Sequence, residues 1–304
     1  MTHPQLSMVL LIIASVLVVA VIIKIFFIES FYNENSFRVK ESSAQVMKPL
    51  YKKDDRVVKY TQKIPFIIHQ TYFTKKLNPD IFQTCMTIKN MNPEYDYAFY
   101  DDKNCRDYIS AHYPADYVKA YDMVIPGAYK ADVFRYLLLY REGGVYMDCK
   151  SSTMVPLRNF IPDDATFVVF RDRPKGSLLN SFMACTPRHP ILKLVIEMTI
   201  SNILAKRYNN NSLDITGPQT LGRAFNIYTN RPELEDIEPG VYGPNHDLVI
   251  VGSFYVIGEG KDEFDALVDT NYTPLVAKTL KNYYNNPNRI DYHALWTERR
   301  VFKE

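Results

Sequence analysis

The stretch Tyr129–Ser152, YKADVFRYLLLYREGGVYMDCKSS, constrains the fold of this 304-residue chain more than any other. Apolar Val133, Phe134, Leu137 and Leu138 recur at helical spacing, which predicts a helix over 127–142 held to a core by one face. Gly143-Gly144 ends it, because glycine takes the sharp turn that closes a helix without steric cost. Val145-Tyr146-Met147 then reads as a short strand that delivers Asp148 and Lys150 to a loop. Asp132 and Arg135 are three apart and share a helix face. One helix therefore presents an acid and a cation near a loop that presents another acid and another cation. Any one of these residues, taken singly, is more often a surface ion-pair member or a turn residue. The arrangement as a whole is what points to a site.

Strands and helices alternate through the rest of residues 63–304. An apolar run over 64–68 reads as a first strand ending in His69, followed by a helix over 80–90 and a strand over 95–100. A further helix runs through Tyr108. Strands follow at 167–170 and 181–184, helices at 191–206 and from Gly217-Pro218 to about Phe225, and strands at 248–251 and 254–257. This order predicts one α/β layered domain without internal repeats. Ligands of open α/β sheets sit outside the carboxyl ends of strands, where His69 and Asp148 both fall in this reading.

Upstream, Met8–Ile28 holds 19 apolar residues in 21, interrupted by Ser15 and Lys24. As a helix it spans roughly 31 Å, a bilayer core. It has no basic residue before it, and Phe26-Phe27-Ile28 closes it, which favours a retained anchor over a cleaved signal or a buried helix. The organisation expected is a short tail (1–7), a transmembrane anchor (8–28), a polar tether (29–62) and the domain (63–304). Lys/Arg flanking the run weakly favour a cytosolic domain. The glycosylation triplets at Asn210 and Asn271 would suit a lumenal one, so the side stays open. A single-pass protein of a Golgi- or ER-type endomembrane, or of a viral or host membrane, is expected.

The chain has 36 Lys+Arg against 34 Asp+Glu. Residues 1–62 carry eight of the former and five of the latter, leaving 28 and 29 for the domain. That balance argues against a nucleic-acid partner. Four cysteines without paired spacing exclude a disulfide scaffold and leave the redox compartment open. Patterns for serine hydrolases, zinc proteases, thiol-redox pairs and phosphate-binding loops are absent. Glycoside hydrolysis needs two facing carboxylates, and sequence does not give the separation of Asp132 and Asp148.

GVYMDCK, preceded by a helix carrying D-x-x-R-Y, resembles the donor segment of the family 32 glycosyltransferases. IPFIIHQTY resembles that family's opening strand, NPEYDYAFYDD its second strand and acidic turn, Thr216-Gly217-Pro218 its T-G-P turn, and DYHALWTERRVF a C-terminal segment found in part of it. The resemblance implies a GT-A fold, a Rossmann-like α/β domain with a mixed central sheet. It also implies a UDP- or GDP-linked sugar donor, hexosyl transfer with retention, and a glycan, glycolipid or glycoprotein acceptor. By it Asp132 and Arg135 hold the sugar hydroxyls, and Asp148 meets the ribose or sugar and any metal. Ile67, His69 and Gln70 lie near the base, and Gly144 and Tyr146 join the donor-binding set.

The pattern breaks at one position: Lys150 stands where the second Asp of D-x-D would bind Mn²⁺ or Mg²⁺. Losing a carboxylate and gaining an ammonium should weaken metal binding. Yet something cationic must neutralise the departing diphosphate. Lys150 either supplies that charge itself, or points away while Asp148 and a C-terminal residue keep a weaker ion. His246 and His293 are the C-terminal candidates for the metal or the diphosphate, with a structural role as the alternative for each. Trp296 either stacks on the sugar or packs in the core. The same substitution leaves a second class open, an inactive protein that binds a nucleotide sugar or glycan.

Overall fold

The computed structural model describes residues 45–53, 61–153, 155–243, 249–252, 254–257, 275–278 and 291–304. The expected tail and anchor, most of the tether, His246 and the Asn271 triplet lie outside the described residues. Among the described residues no helix is long and apolar enough to cross a membrane. Residues 44–304 group as one compact unit.

A mixed eight-stranded sheet forms its centre, as expected for an α/β layered domain. Chain order begins with β1 (Gln45–Val46), β2 (Leu50–Tyr51), β3 (Ile67–Thr71), β4 (Lys76–Leu77) and helix α1 (Pro79–Met91). Next come β5 (Asp96–Tyr100), α2 (Asp102–His112), α3 (Ala115–Met123), α4 (Gly127–Glu142) and β6 (Gly144–Met147). β7 (Phe167–Arg171), β8 (Leu178–Cys185), α5 (Pro190–Leu204) and α6 (Pro218–Tyr228) follow. β9 (Gly240–Tyr242), β10 (Val249–Gly252), β11 (Phe254–Ile257), β12 (Leu275–Lys278) and α7 (Tyr292–Thr297) complete the described part. The sheet order is β2-β5-β3-β6-β8-β7-β10-β9. β5, β3, β6, β7 and β10 run one way and β2, β8 and β9 the other. The carboxyl ends of five strands therefore share one edge.

Both faces of the sheet are covered. Tyr146, Phe167 and Val169 point into a core with α2 to α6, while Val145, Met147, Val168 and Phe170 point into a second core with α1. Strands buried on both faces read as continuous apolar runs, as β7 does. Helix starts are chemically marked: Asn78 caps α1 through Ile81 N–H at 2.9 Å, and Asp101 caps α2 through Asn104 N–H at 2.9 Å.

Three expectations change. Residues 45–51 are not tether: β2 pairs with β5 at the sheet edge, β1 pairs with β4, and Met47 is fully buried. Two-residue strands carry no periodicity, so the sequence pattern did not mark them. The first strand starts at Ile67, three residues later than expected. Pro65 has no N–H for a ladder, and its carbonyl instead accepts from Ile67 N–H at 2.9 Å. His69 therefore lies inside β3, and the strand ends at Thr71. Finally, α4 is enclosed nearly all round. Tyr129 and every residue from Asp132 to Leu139 are buried, so the Asp132–Arg135 face points inward rather than to solvent.

Candidate functional site

The helix and loop meet as the spacing predicts. Gly143 (φ +66°) and Gly144 (φ +91°) turn the chain from α4 into β6. A Cβ at Gly144 would lie 2.7 Å from the Ile67 carbonyl oxygen, so the turn admits only glycine without displacement. β6 then carries the chain to Asp148 at the carboxyl edge, where its N–H donates to the Ser181 carbonyl at 2.9 Å.

Four charges line up there with alternating sign. The Arg135 guanidinium lies 3.5 Å from Asp132 and 3.2 Å from Asp148, and Lys150 Nζ lies 3.4 Å from the other oxygen of Asp148. Arg135 also sits 4.5 Å over the Tyr146 ring and donates to the Asn180 carbonyl at 2.6 Å. Tyr146 donates its hydroxyl to Asp148 at 3.1 Å. Asp132 accepts from Thr216 Oγ1 at 2.7 Å and from Asn180 Nδ2 at 2.8 Å. A buried carboxylate needs such donors.

Titration follows from this packing. Burial pushes Asp132 up to about 6, against the pull of Arg135 and the Thr216 hydroxyl. Burial also opposes the charge on Arg135, but Tyr146, Asp148 and Asp132 outweigh it and hold the guanidinium protonated. Arg135 is a fixed cation between two acids, and Asp132 is the member whose charge changes near neutral pH.

Asn180 and Thr216 complete this set. Thr216 stands in the T-G-P turn, where the motif gave its place but not its partner. Asn180 had no signal in the sequence. It reaches Asp132 because β8 bulges: Val169 faces Met183 while Arg171 faces Leu178, so two residues on β7 answer five on β8. Such irregularities re-aim side chains beside sites.

The remaining expected residues are placed elsewhere. Ile67 and Gly144 pack on each other at the opposite end of β3 and β6 from Asp148. His69 is buried, donates from Nε2 to the Gly143 carbonyl at 3.3 Å and accepts at Nδ1 from Tyr100. Burial lowers its pKa to about 4, against the hydrogen bond to Gly143, so it is a neutral core imidazole. Gln70 points to the other core and accepts from the Tyr97 hydroxyl. The structure thus keeps these four out of the charged cluster. His293 is exposed and contacts Ser212 Oγ at 2.5 Å. Trp296 donates to the Tyr208 carbonyl at 2.8 Å. Both tie α7 to the 208–212 loop, whose Ser212 carbonyl accepts from Tyr129, one turn before Asp132, at 2.6 Å. They brace the rim of the site from outside it.

A cleft of about 390 Å³ lined by Tyr140, Arg141 and Arg188 lies at the carboxyl end of α4, away from Asp132. The residues at the loop do not fit a divalent cation. Both oxygens of Asp148 face cations, and the nearby Asp172 carboxylate also faces the charge of Lys150. Among the described residues no three His, Cys, Asp or Glu side chains gather to hold a metal, whereas hard cations take six or more oxygen ligands.

Comparison with known proteins finds similarity over the segment that carries this cluster. The family described as "Glycosyltransferase sugar-binding region containing DXD motif" matches residues 32–167. Inositol phosphoceramide mannosyltransferase 3 of Schizosaccharomyces pombe is 27% identical over 215 residues, 67% of this chain and 56% of that protein. Inositol phosphoceramide mannosyltransferase 2 of the same organism is 31% identical over 54% of this chain and 47% of its own length. Mannosyl phosphorylinositol ceramide synthase CSH1 of Saccharomyces cerevisiae is 26% identical over 73% and 57%. The chain spans about half the length of these relatives. A solved structure, PaToxG glycosyltransferase, aligns over 55% of this chain and 69% of that one at 19% identity and a TM-score of 0.45, too distant a likeness to bear on the site. Asp132, Arg135 and Asp148 all lie within the residues that match the family described as glycosyltransferase sugar-binding regions containing a DXD motif.

Proposed function

We propose that the protein is a membrane-anchored glycosyltransferase with a GT-A-type domain that moves a hexose from a nucleotide diphosphate to a hydroxyl of a glycan, glycolipid or glycoprotein. The observation that carries this reading is the alternation Asp132–Arg135–Asp148–Lys150 at the carboxyl edge of the sheet, buried at the helix and half-buried at the loop. Asp132, ionised and held by Thr216 and Asn180, accepts hydrogen bonds from the sugar hydroxyls, and Arg135 donates to them. Asp148 orients the donor from the loop.

In the step itself the bond from the anomeric carbon to the diphosphate oxygen breaks, and a bond from that carbon to the acceptor oxygen forms. The acceptor proton leaves with the diphosphate. Negative charge grows on the leaving oxygen, and the Lys150 ammonium at the loop is placed to neutralise it. Retention of configuration is proposed on the family resemblance. No side chain is assigned as nucleophile or base, since both carboxylates are committed to Arg135. The names of the relatives put mannose first among donors and an inositol phosphoceramide lipid first among acceptors to try.

Incubation of the chain with UDP- and GDP-linked hexoses, mannose foremost, and measurement of nucleoside diphosphate release tests the reading. Turnover with one donor supports it. Tight donor binding with no release across the panel, with or without acceptor, would instead identify the inactive binding protein that the Lys150 substitution also allows.

A further inference from the structure

Two segments distant in sequence meet beside the donor edge. Residues 45–53, QVMKPLYKK, and 71–77, TYFTKKL, hold five lysines and no acidic residue. β1 and β4 join them, with Val46 opposite Lys76, and Met47 N–H donates to the Lys75 carbonyl at 3.0 Å. Met47 and Leu77 are buried beneath, which fixes both segments to the domain. On the outer side Val46 is 62% exposed, Leu50 44% and Phe73 58%. These are half of the large apolar side chains left exposed among the described residues, and all three lie on the two segments that β1 and β4 join. Of the five lysines, two reach carboxylates among the described residues, Lys52 to Asp96 at 3.6 Å and Lys75 to Asp101 at 3.8 Å.

Apolar tips ringed by ammonium groups match the boundary of an anionic bilayer, where side chains such as Phe enter the acyl region and lysines stay among the headgroups. The chain upstream decides between this occupant and a protein partner. The apolar run ends at Ile28, 17 residues before Gln45, and 17 residues reach at most about 58 Å. An anchor in that run holds the patch at high effective concentration beside the lipid surface.

We propose that Val46, Leu50 and Phe73, with the five surrounding lysines, dock on an anionic bilayer surface and set the donor loop against it. Thr71 closes β3 two residues before Phe73, and its carbonyl accepts from the Cys149 thiol at 3.3 Å. Cys149 lies between Asp148 and Lys150, so the docked face is one contact away from the donor loop. That the lipid surface presents the acceptor rests on the glycosyltransferase reading; the docking rests only on the membrane-anchor part of it.

The test uses the full chain carrying Phe73→Trp, reconstituted in phosphatidylcholine vesicles with or without phosphatidylserine, with the signal of the native Trp296, measured on the wild-type chain in the same vesicles, subtracted. A brominated lipid quenches from the bilayer and acrylamide from water. In anionic vesicles the new tryptophan is expected to be quenched by the lipid and shielded from acrylamide. Val241→Trp, on the far edge strand β9 and 54% exposed, should show the reverse. Replacing Lys48, Lys75 and Lys76 by Gln should lower the docking equilibrium constant about fivefold per lysine. Free access of acrylamide to position 73 in anionic vesicles overturns the proposal. So does shielding from both quenchers, which marks a second copy or another protein, and so does equal quenching in neutral and anionic vesicles. Nucleoside diphosphate release in the same vesicles is read separately. Docking without release leaves this inference standing and removes the glycosyltransferase reading, and release without docking does the opposite.

Discussion

The side-chain amide of Asn180 donates to Asp132 at 2.8 Å across 48 positions of sequence. The same amide reaches the Tyr136 hydroxyl at 2.9 Å, and the Asn180 carbonyl accepts from Arg135. One residue of the β8 bulge therefore holds both charged members of the helix. Asn180→Ala strips a donor from a buried carboxylate and from the Tyr136 hydroxyl, while the backbone carbonyl that accepts from Arg135 remains. A loss of about 1–3 kcal/mol is expected from the unsatisfied group, together with weaker donor binding. Asn180→Asp adds a like charge against Asp132 and should cost more. Urea unfolding and calorimetric titration with a nucleotide sugar check both, and wild-type values for the Ala variant would show that the Asn180 amide does not hold Asp132.

The charge of Asp132 sets the second prediction. With its pKa pushed up to about 6, donor binding that needs the carboxylate should fall as pH drops through that value. Asp132→Asn should bind weakly at every pH and lose this limb. Stability runs the other way. The folded pKa exceeds the unfolded value of about 3.9, so burying the charge costs stability above pH 6 and the cost vanishes below about 4. His69 opposes it: its folded pKa of about 4 lies below the ordinary value of 6.5, so stability is lost as pH falls between these values. The two trends offset in whole-protein unfolding. The difference between wild type and Asp132→Asn, measured from pH 4 to 7, isolates the first, and a flat difference would sink the assignment.

The sequence exposes what local chemistry decides and hides what tertiary geometry decides. α4, the glycine pair and the strand to Asp148 were legible because periodicity and φ > 0 turns are written residue by residue. Asp132, Arg135 and Asp148 were legible through spacing and resemblance together. Asn180 was not, because a bulge places it and no short-range pattern encodes a register shift. His69 looked like a strand-end group because the apolar run 64–68 marks burial rather than the ladder. Ile64 and Ile68 are indeed buried, while Pro65 delays the strand. α3 and α7 were missed because short helices carry too few turns to show a period.

Gly144 tests the turn that aims the loop. Its φ of +91° and the 2.7 Å approach of a Cβ to Ile67 leave no room for alanine. Gly144→Ala should destabilise the fold by about 1–3 kcal/mol from backbone strain alone, with more from the clash. Gly127→Ala, where a Cβ meets nothing within 4 Å, is the control and should unfold like wild type. Equal urea midpoints for the two variants would contradict the assigned turn.

Lys150 carries the sharpest consequence for chemistry. Its Nζ lies 3.4 Å from Asp148, where D-x-D relatives by resemblance place a second carboxylate. If the ammonium neutralises the leaving diphosphate, chelators should leave wild-type turnover intact. Lys150→Ala should then lose on the order of 10²–10³ in turnover, the scale of removing one preorganised donor to a developing oxyanion. Lys150→Asp restores two carboxylates, which hard cations favour, and should bind Mn²⁺ in the presence of nucleoside diphosphate where wild type does not. Paramagnetic resonance of free Mn²⁺ reads this without reference to activity. Wild-type turnover abolished by EDTA, with Lys150→Ala still active, would assign the charge to a metal and leave Lys150 a bystander.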